Sequence, residues 1–229
     1  MCGRFTLGID ERALKQFIQK VFDIEQSPPN LNVPRYNIAP GQDVLSVISD
    51  GTKYRIGPLK WGFVPSFAKD EKSGFKMINA KSETLNERVS YRSSFESKRC
   101  VILADGFYEW EKGTSEKQPM HFSMKDSGVF PIAGLWSSFT RTDGTKLYSC
   151  TIITCEANRL LGKIHDRMPV ILDDSSLKRW LDPTFHDMTF LTQLLKPYDP
   201  DLMKMFPVSK LVNQVSNDSI ECIKDISES

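Results

Sequence analysis

The second residue of this chain carries its least ordinary chemistry. The N-terminus runs Met1-Cys2-Gly3-Arg4-Phe5, and nothing apolar flanks the cysteine closely enough to make it a core residue by pattern. Cysteine is small enough for an initiator methionine ahead of it to be removable. Removal would leave Cys2 with a free α-amine beside its own thiol, two nucleophiles on one residue. Near neutral pH an α-amine, with a pKa of about 7.7–8.0, is unprotonated far more often than a lysine at about 10.4. Such an amine condenses with an aldehyde to a Schiff base, and the adjacent thiol can then close on the imine carbon to give a five-membered thiazolidine. The ring-opened sugar of an abasic DNA site is one aldehyde that suits this trap. By itself a cysteine at position two is a weak signal, and an accidental one is the plainer reading.

The rest of the composition narrows the class. At 229 residues the chain fits one domain with a substantial core, and its 40% hydrophobic and 26% charged fractions are ordinary for a globular protein. No apolar run reaches the length of a membrane span and no signal-peptide pattern opens the chain, so the expectation is a cytoplasmic protein without membrane contact. The five cysteines (Cys2, Cys100, Cys150, Cys155 and Cys222) are odd in number and match no zinc spacing with His121, His165 and His186. No metal and no cofactor is expected. Net charge is only +1, yet residues 69–99 hold eight Lys/Arg against five Asp/Glu, a local surplus that could line a basic groove or simply be a solvated face.

The elements that must position Cys2 follow from periodicity. Asp10–Phe22 carries Leu14, Phe17, Ile18, Val21 and Phe22 at helical spacing, with Asp10 as a cap. A Pro/Asn-rich loop over residues 27–42 follows. Val44–Ser49 and Tyr54–Leu59 read as strands joined by the Asp50-Gly51 turn signal. Further strands are predicted at Cys100–Ala104, Phe107–Glu111, Met120–Met124, Phe130–Leu135 and Leu147–Thr154, with shorter ones at Met205–Val208 and Ile220–Ile223. Glu156–Lys163, Ser175–Leu181 and His186–Leu195 read as short helices. Many strands with interspersed helices and no linker predict one α+β domain over 1–229, built on a largely antiparallel, barrel-like sheet with peripheral helices.

Six segments in order then carry a resemblance. They are the N-terminal M-C-G-R-F, R-Y-N-I-A-P-G (Arg35–Gly41), W-G-F-V-P (Trp61–Pro65), I-N-A-K-S-E-T (Ile78–Thr84), A-D-G-F-Y-E-W (Ala104–Trp110) and H-D-R-M-P-V (His165–Val170), with P-V-S-K (Pro207–Lys210) near the end. Together they resemble the SRAP family, the SOS response-associated peptidases that process abasic sites. The resemblance implies an SRAP fold, Cys2 as the nucleophile freed by loss of Met1, and a covalent crosslink that shields an abasic site in single-stranded DNA. It implies that Asn79 positions the deoxyribose or the N-terminal cysteine, and that Glu109 and His165 move protons.

Each assignment has a physical check and an ordinary alternative. If Phe107-Tyr108-Glu109-Trp110 is a strand, Glu109 shares a face with Phe107, and a carboxylate among aromatics holds its proton to higher pH, as an acid/base near neutrality should. The alternative is a strand-end Glu in water or paired with Lys112. His165 can exchange a proton at physiological pH with Asp166 or a carbonyl setting its tautomer, or it can be a structural hydrogen-bonding residue. The Asn79 amide can both donate and accept, at a sugar or merely at a turn.

Arg4, Arg35, Lys81 and Arg88 are candidate phosphate contacts, and Pro40, Trp61 and Phe67 candidates to stack on or wedge between bases. Lys81 stands where relatives commonly carry arginine, and Phe67 where they often carry tryptophan. The expected partner is single-stranded DNA containing an abasic site, bound by a monomer without regard to sequence, with lyase activity and removal of Met1 by the chain itself accompanying the crosslink. Two other readings stay open: a cysteine peptidase acting in trans through Cys2, Glu109 and His165, and a noncovalent single-stranded nucleic-acid binding module.

Overall fold

Leu14, Ile18 and Phe22 bury one stripe of a helix, α1 (Glu11–Phe22), in the computed structural model, which describes residues 2–25, 31–111 and 117–227. Asp10 caps it by accepting the Ala13 N–H at 3.0 Å, and Asp23 ends it in the left-handed region at φ 53°. The strands are β1 (Phe5–Leu7), β2 (Arg35–Ile38), β3 (Asp43–Ser49), β4 (Tyr54–Trp61), β5 (Asn79–Lys81), β6 (Arg99–Ala104), β7 (Gly106–Trp110), β8 (Pro119–Met124), β9 (Phe130–Thr140), β10 (Lys146–Glu156), β11 (Arg167–Pro169) and β12 (Met203–Pro207). Three more helices are α2 (Val89–Ser97), α3 (Asp174–Leu181) and α4 (Met188–Gln193).

Two sheets divide these strands. In the first, β10, β4, β3, β6 and β9 pair in turn, and β9 pairs back onto β10, which closes a five-stranded barrel and leaves no edge within that ring. Its pairings are antiparallel except β4 on β10. Beyond the closure, β10 runs on past the barrel, with β5 parallel on one edge and β11 antiparallel on the other. The second sheet has the order β12-β8-β7-β1-β2 and is antiparallel throughout. The all-buried run Arg99–Ala104 of β6 lies in the barrel wall. The fold is thus α+β, a largely antiparallel barrel with peripheral helices.

The buried Arg99 guanidinium ties helix ends to that wall. It donates to the carbonyls of Phe95 and Glu96 at 2.7 Å each, of Trp180 at 2.6 Å, of Phe185 at 3.1 Å, and of Asp182. Four of these are carbonyls at the C-terminal ends of α2 and α3, where a cation is electrostatically favoured, and the fifth, Phe185, follows α3.

Two sequence expectations fail, one because a side chain captures the backbone and the other because a buried contact folds the segment into a turn. Glu156–Lys163 is not a helix: Glu156 ends β10, and the Asn158 carboxamide oxygen accepts the N–H groups of Leu160 and Leu161 at 3.0 Å, leaving one 3-10 turn at Leu161–Lys163. Ile220–Ile223 is a 3-10 turn and not a strand, folded so that Cys222 drops into a buried cluster with Tyr108, Val208 and Val212. Within the Pro/Asn-rich segment read as a loop, Arg35–Ile38 forms β2; residues 26–30 and Lys112 lie outside the described residues. Among the described residues no helix is long and apolar enough to cross a membrane.

Candidate functional site

Cys2 sits just ahead of β1, where the two sheets meet. β1 is the strand that β7 grips: Phe5 pairs with Phe107, and the Arg4 carbonyl accepts the Tyr108 N–H at 3.0 Å. That register carries Cys2 alongside Glu109 of β7. From the other sheet, β5 hangs on β10 through Asn79 opposite Ile152, and the Asn79 side-chain nitrogen donates to the Cys2 carbonyl at 2.9 Å. Only an amide nitrogen can face a carbonyl oxygen, so the orientation of the Asn79 amide follows. Its Oδ1 is buried with no hydrogen-bond partner among the described residues. A buried acceptor in that state costs free energy unless something supplies a donor.

Cys2 is fully buried. Burial, and after it the Glu109 carboxylate, push its thiol well above the usual range, so the sulfur is held as S–H and reaches the Arg4 carbonyl at 4.0 Å. Glu109 itself is 3% exposed. As the strand alternation requires, Phe107 packs into the main core while Tyr108 and Trp110 pack on the opposite face.

His165 stands on the turn that leads into β11. Its Nδ1 accepts the Arg167 N–H at 3.0 Å, and an Asp166 carboxylate oxygen lies 3.0 Å from the same nitrogen. One nitrogen cannot serve both at once. The neutral ring accepts from Arg167 and carries its proton on Nε2; a ring protonated at Nδ1 turns to Asp166. Arg167, which sequence reasoning passed over, forks onto Glu83 at 2.7 and 2.9 Å, and that hydrogen bonding is the main cause holding Glu83 below its ordinary carboxyl range. The signal was in the sequence, since Glu83 and Arg167 lie within the motifs containing Asn79 and His165.

The seven candidate DNA contacts divide. Pro40, Phe67, Lys81 and Arg88 are exposed, Phe67 at 63%. Arg4, Arg35 and Trp61 are engaged inward. One Arg4 nitrogen donates to Asn37 Oδ1 and the Val212 carbonyl at 2.6 Å each, and partial burial lowers its pKa. Arg35 pairs with Asp218 and donates to Gln42 at 2.8 Å. Trp61 is 1% exposed, gives its indole N–H to the Ile78 carbonyl at 2.9 Å and packs on Phe5 at 5.3 Å, so its ring has no face open to a base. Phe75 was missed: it is 74% exposed, in the same loop as Phe67. An aromatic inside the polar stretch Lys72-Ser73-Gly74-Phe75-Lys76 was the available signal.

Sequence comparison bears on this arrangement. The family model described as SOS response associated peptidase (SRAP) matches residues 1–215. The chain belongs to the SRAP family. It is 47% identical over 226 residues to the abasic site processing protein YoqW of Bacillus subtilis (strain 168), covering 98% of this chain and 99% of that one. It is 31% identical over 224 residues to the abasic site processing protein HMCES of Xenopus tropicalis, covering 84% of this chain and 66% of the relative. A crystal structure of a protein from Bacteroides thetaiotaomicron superposes with a TM-score of 0.81 at 23% identity, covering 98% of this chain and all of the other, and shares the SRAP fold.

Proposed function

We propose that this SRAP protein captures abasic sites in single-stranded DNA through Cys2, once Met1 has been removed. The observation that carries the reading is the convergence on Cys2 of Asn79 from the barrel edge and Glu109 from the second sheet. The names of the 47%- and 31%-identical relatives support it.

The chemistry follows from the groups present. Loss of Met1 by hydrolysis of the Met1–Cys2 bond frees the α-amine. That amine attacks the C1′ aldehyde of the ring-opened deoxyribose, and water leaves as the imine forms. The S–H then adds across the C=N bond, sulfur to carbon and proton to nitrogen, to close the thiazolidine; one C–N and one C–S bond replace the C=O. The amine is the first nucleophile because burial and Glu109 keep the thiol protonated. Glu109 relays protons between amine, departing water and thiol. Asn79 Oδ1, a buried acceptor awaiting a donor, takes the amine N–H or a sugar hydroxyl. His165 supplies a proton from Nε2 to the sugar oxygen at ring opening. The imine also acidifies the C2′ proton, so strand cleavage by β-elimination competes with ring closure, and autocatalytic loss of Met1 through the Cys2 thiol belongs to the same reading. Exposed Lys81 and Arg88 contact phosphates, and exposed Phe67 stacks on a flanking base.

The test uses a single-stranded oligonucleotide with one abasic site, resolved by denaturing electrophoresis beside undamaged DNA and beside Cys2→Ala, with mass spectrometry of the N-terminus. A Cys2-dependent adduct that survives denaturation, formed only by protein lacking Met1, is expected. Its absence from protein shown to begin at Cys2 would sink the reading.

A further inference from the structure

Trp61 has its indole edge tied to Ile78, the neighbour of Asn79, and it also borders a cleft of about 400 Å³ that none of the chemistry above uses. That volume falls in the range of sites that enclose small organic groups. The floor is nearly bare backbone. A Cβ on Gly74 would lie 2.6 Å from the Gly62 carbonyl oxygen, so the two limbs of the loop close against each other only because both residues are glycine. One end opens at Gly41, where a Cβ would meet nothing within 4 Å, next to exposed Pro40. The Phe75 ring and Leu147 form apolar walls.

The rim is cationic. Lys60 and Lys72 are exposed there. Its acid, Glu71, is engaged by Arg141, which forks onto one carboxylate oxygen at 3.1 and 2.9 Å and pins the Glu71–Lys76 turn to the β9–β10 hairpin. The wall bearing Phe75 is therefore anchored, and the rim keeps a positive surplus. A flat apolar slot with an aromatic wall and a cationic rim matches a nucleobase attached to a phosphodiester.

We propose that this cleft is a subsite for one nucleotide of the bound single strand, flanking the lesion on the side of Trp61, with the base against Phe75 and Leu147 and its phosphate between Lys60 and Lys72. The proposal rests on the capture reading for the presence of a strand, but its readout does not need the covalent step. Binding without regard to base identity is expected, because Phe75 and Leu147, against which the base lies, offer apolar faces to any base.

Undamaged oligothymidylates of three to twelve nucleotides, followed by fluorescence anisotropy over a salt series, test it. For the unaltered protein, affinity should step up when the oligomer becomes long enough to span from the lesion site into the cleft. Lys60→Gln with Lys72→Gln should abolish that step, weaken binding of the long oligomers by roughly tenfold, and flatten the slope of log affinity against log salt by roughly 0.7 for each phosphate no longer neutralised. Leu147→Trp fills the cleft without altering charge and should lose the same step. Thermal melts establish that each variant is folded. A step that survives in Leu147→Trp overturns the proposal even if the lysine variant binds weakly, since that pattern is the diffuse pull of a basic surface. An unchanged step in both overturns it as well. Loss of the step in both, in a protein that forms no Cys2 adduct, supports the subsite while removing the capture reading.

Discussion

His121 should make this protein acid-labile by an amount that its surroundings define. The ring is 5% exposed, lies between Tyr108 at 5.1 Å and Phe206 at 5.2 Å, and neither of its nitrogens has a hydrogen-bond partner among the described residues. It fits only because residue 106 is glycine: a Cβ there would lie 2.3 Å from Nε2. Burial first, and then the Lys204 charge, push the His121 pKa down to about 4 from the usual 6.5. Between those two values the unfolded chain binds a proton that the folded chain refuses. The stability at stake is fully present above pH 6.5 and is lost as the pH falls towards 4. With about 1.4 kcal/mol per pH unit, the loss is about 1.4 kcal/mol at pH 5.5 and about 3 kcal/mol at pH 4 and below.

His121→Leu, apolar and close in volume, removes the titration and leaves every other ionisable group in place. Urea unfolding of both proteins at pH 7.5, 6.5, 5.5 and 4.5 gives the check. Repacking sets a constant offset between them, which the pH 7.5 pair measures. Relative to that offset, the variant should gain about 1.4 kcal/mol by pH 5.5 and between about 2 and 3 kcal/mol by pH 4.5. Parallel stability curves would refute the reasoning, because they would mean that His121 is protonated in the folded state as readily as in the unfolded one.

Two other substitutions test how the site is held. Arg99→Met strands five carbonyls that now accept from one buried cation and should cost about 3–5 kcal/mol in urea unfolding, with Arg99→Lys recovering only part because an ammonium has fewer donors; a cost below about 1 kcal/mol would show that water replaces the guanidinium. Asn79→Ala removes the bond to the Cys2 carbonyl and should slow single-turnover adduct formation about 3- to 10-fold, while Asn79→Asp, which sets a carboxylate against that carbonyl, should slow it further; equal rates for the two variants would mean that the amide N–H does not position Cys2.

Much of this architecture was legible because it is local. The stripe of Leu14, Ile18 and Phe22, the Asp10 cap and the Asp50-Gly51 hairpin each announce themselves within a dozen residues, and the apolar run at Cys100–Ala104 is long enough to declare a buried strand. What was not legible depends on distant partners. β5 and β11 are three residues each, too short for alternation to register, and exist because β10 extends past the barrel and offers two free edges. α2 is rich in serine and shows a helical pattern only through Tyr91, Ser94 and Phe95.

The site divides the same way. Residue types and motif order pointed to Cys2, Asn79 and Glu109, but chemistry-bearing residues do not say which way they face. Arg4 is the instructive case. A cation two residues from Cys2 invites assignment to a phosphate, yet its nitrogen closes on Asn37 and on a carbonyl 208 residues away at Val212. Asn37 in turn sets its side-chain NH2 within hydrogen-bonding distance of the carbonyls of Val212, Gln214 and Asn217, and the Tyr108 hydroxyl donates to that of Tyr36 at 2.7 Å and lies 3.3 Å from that of Cys222. The stretch 212–222 thus laces the outer face of the sheet whose β1 and β7 carry Cys2 and Glu109 towards each other. Arg4 belongs to that lacing, so it turns towards Asn37 and Val212 and not to the solvent where its type alone would have placed it.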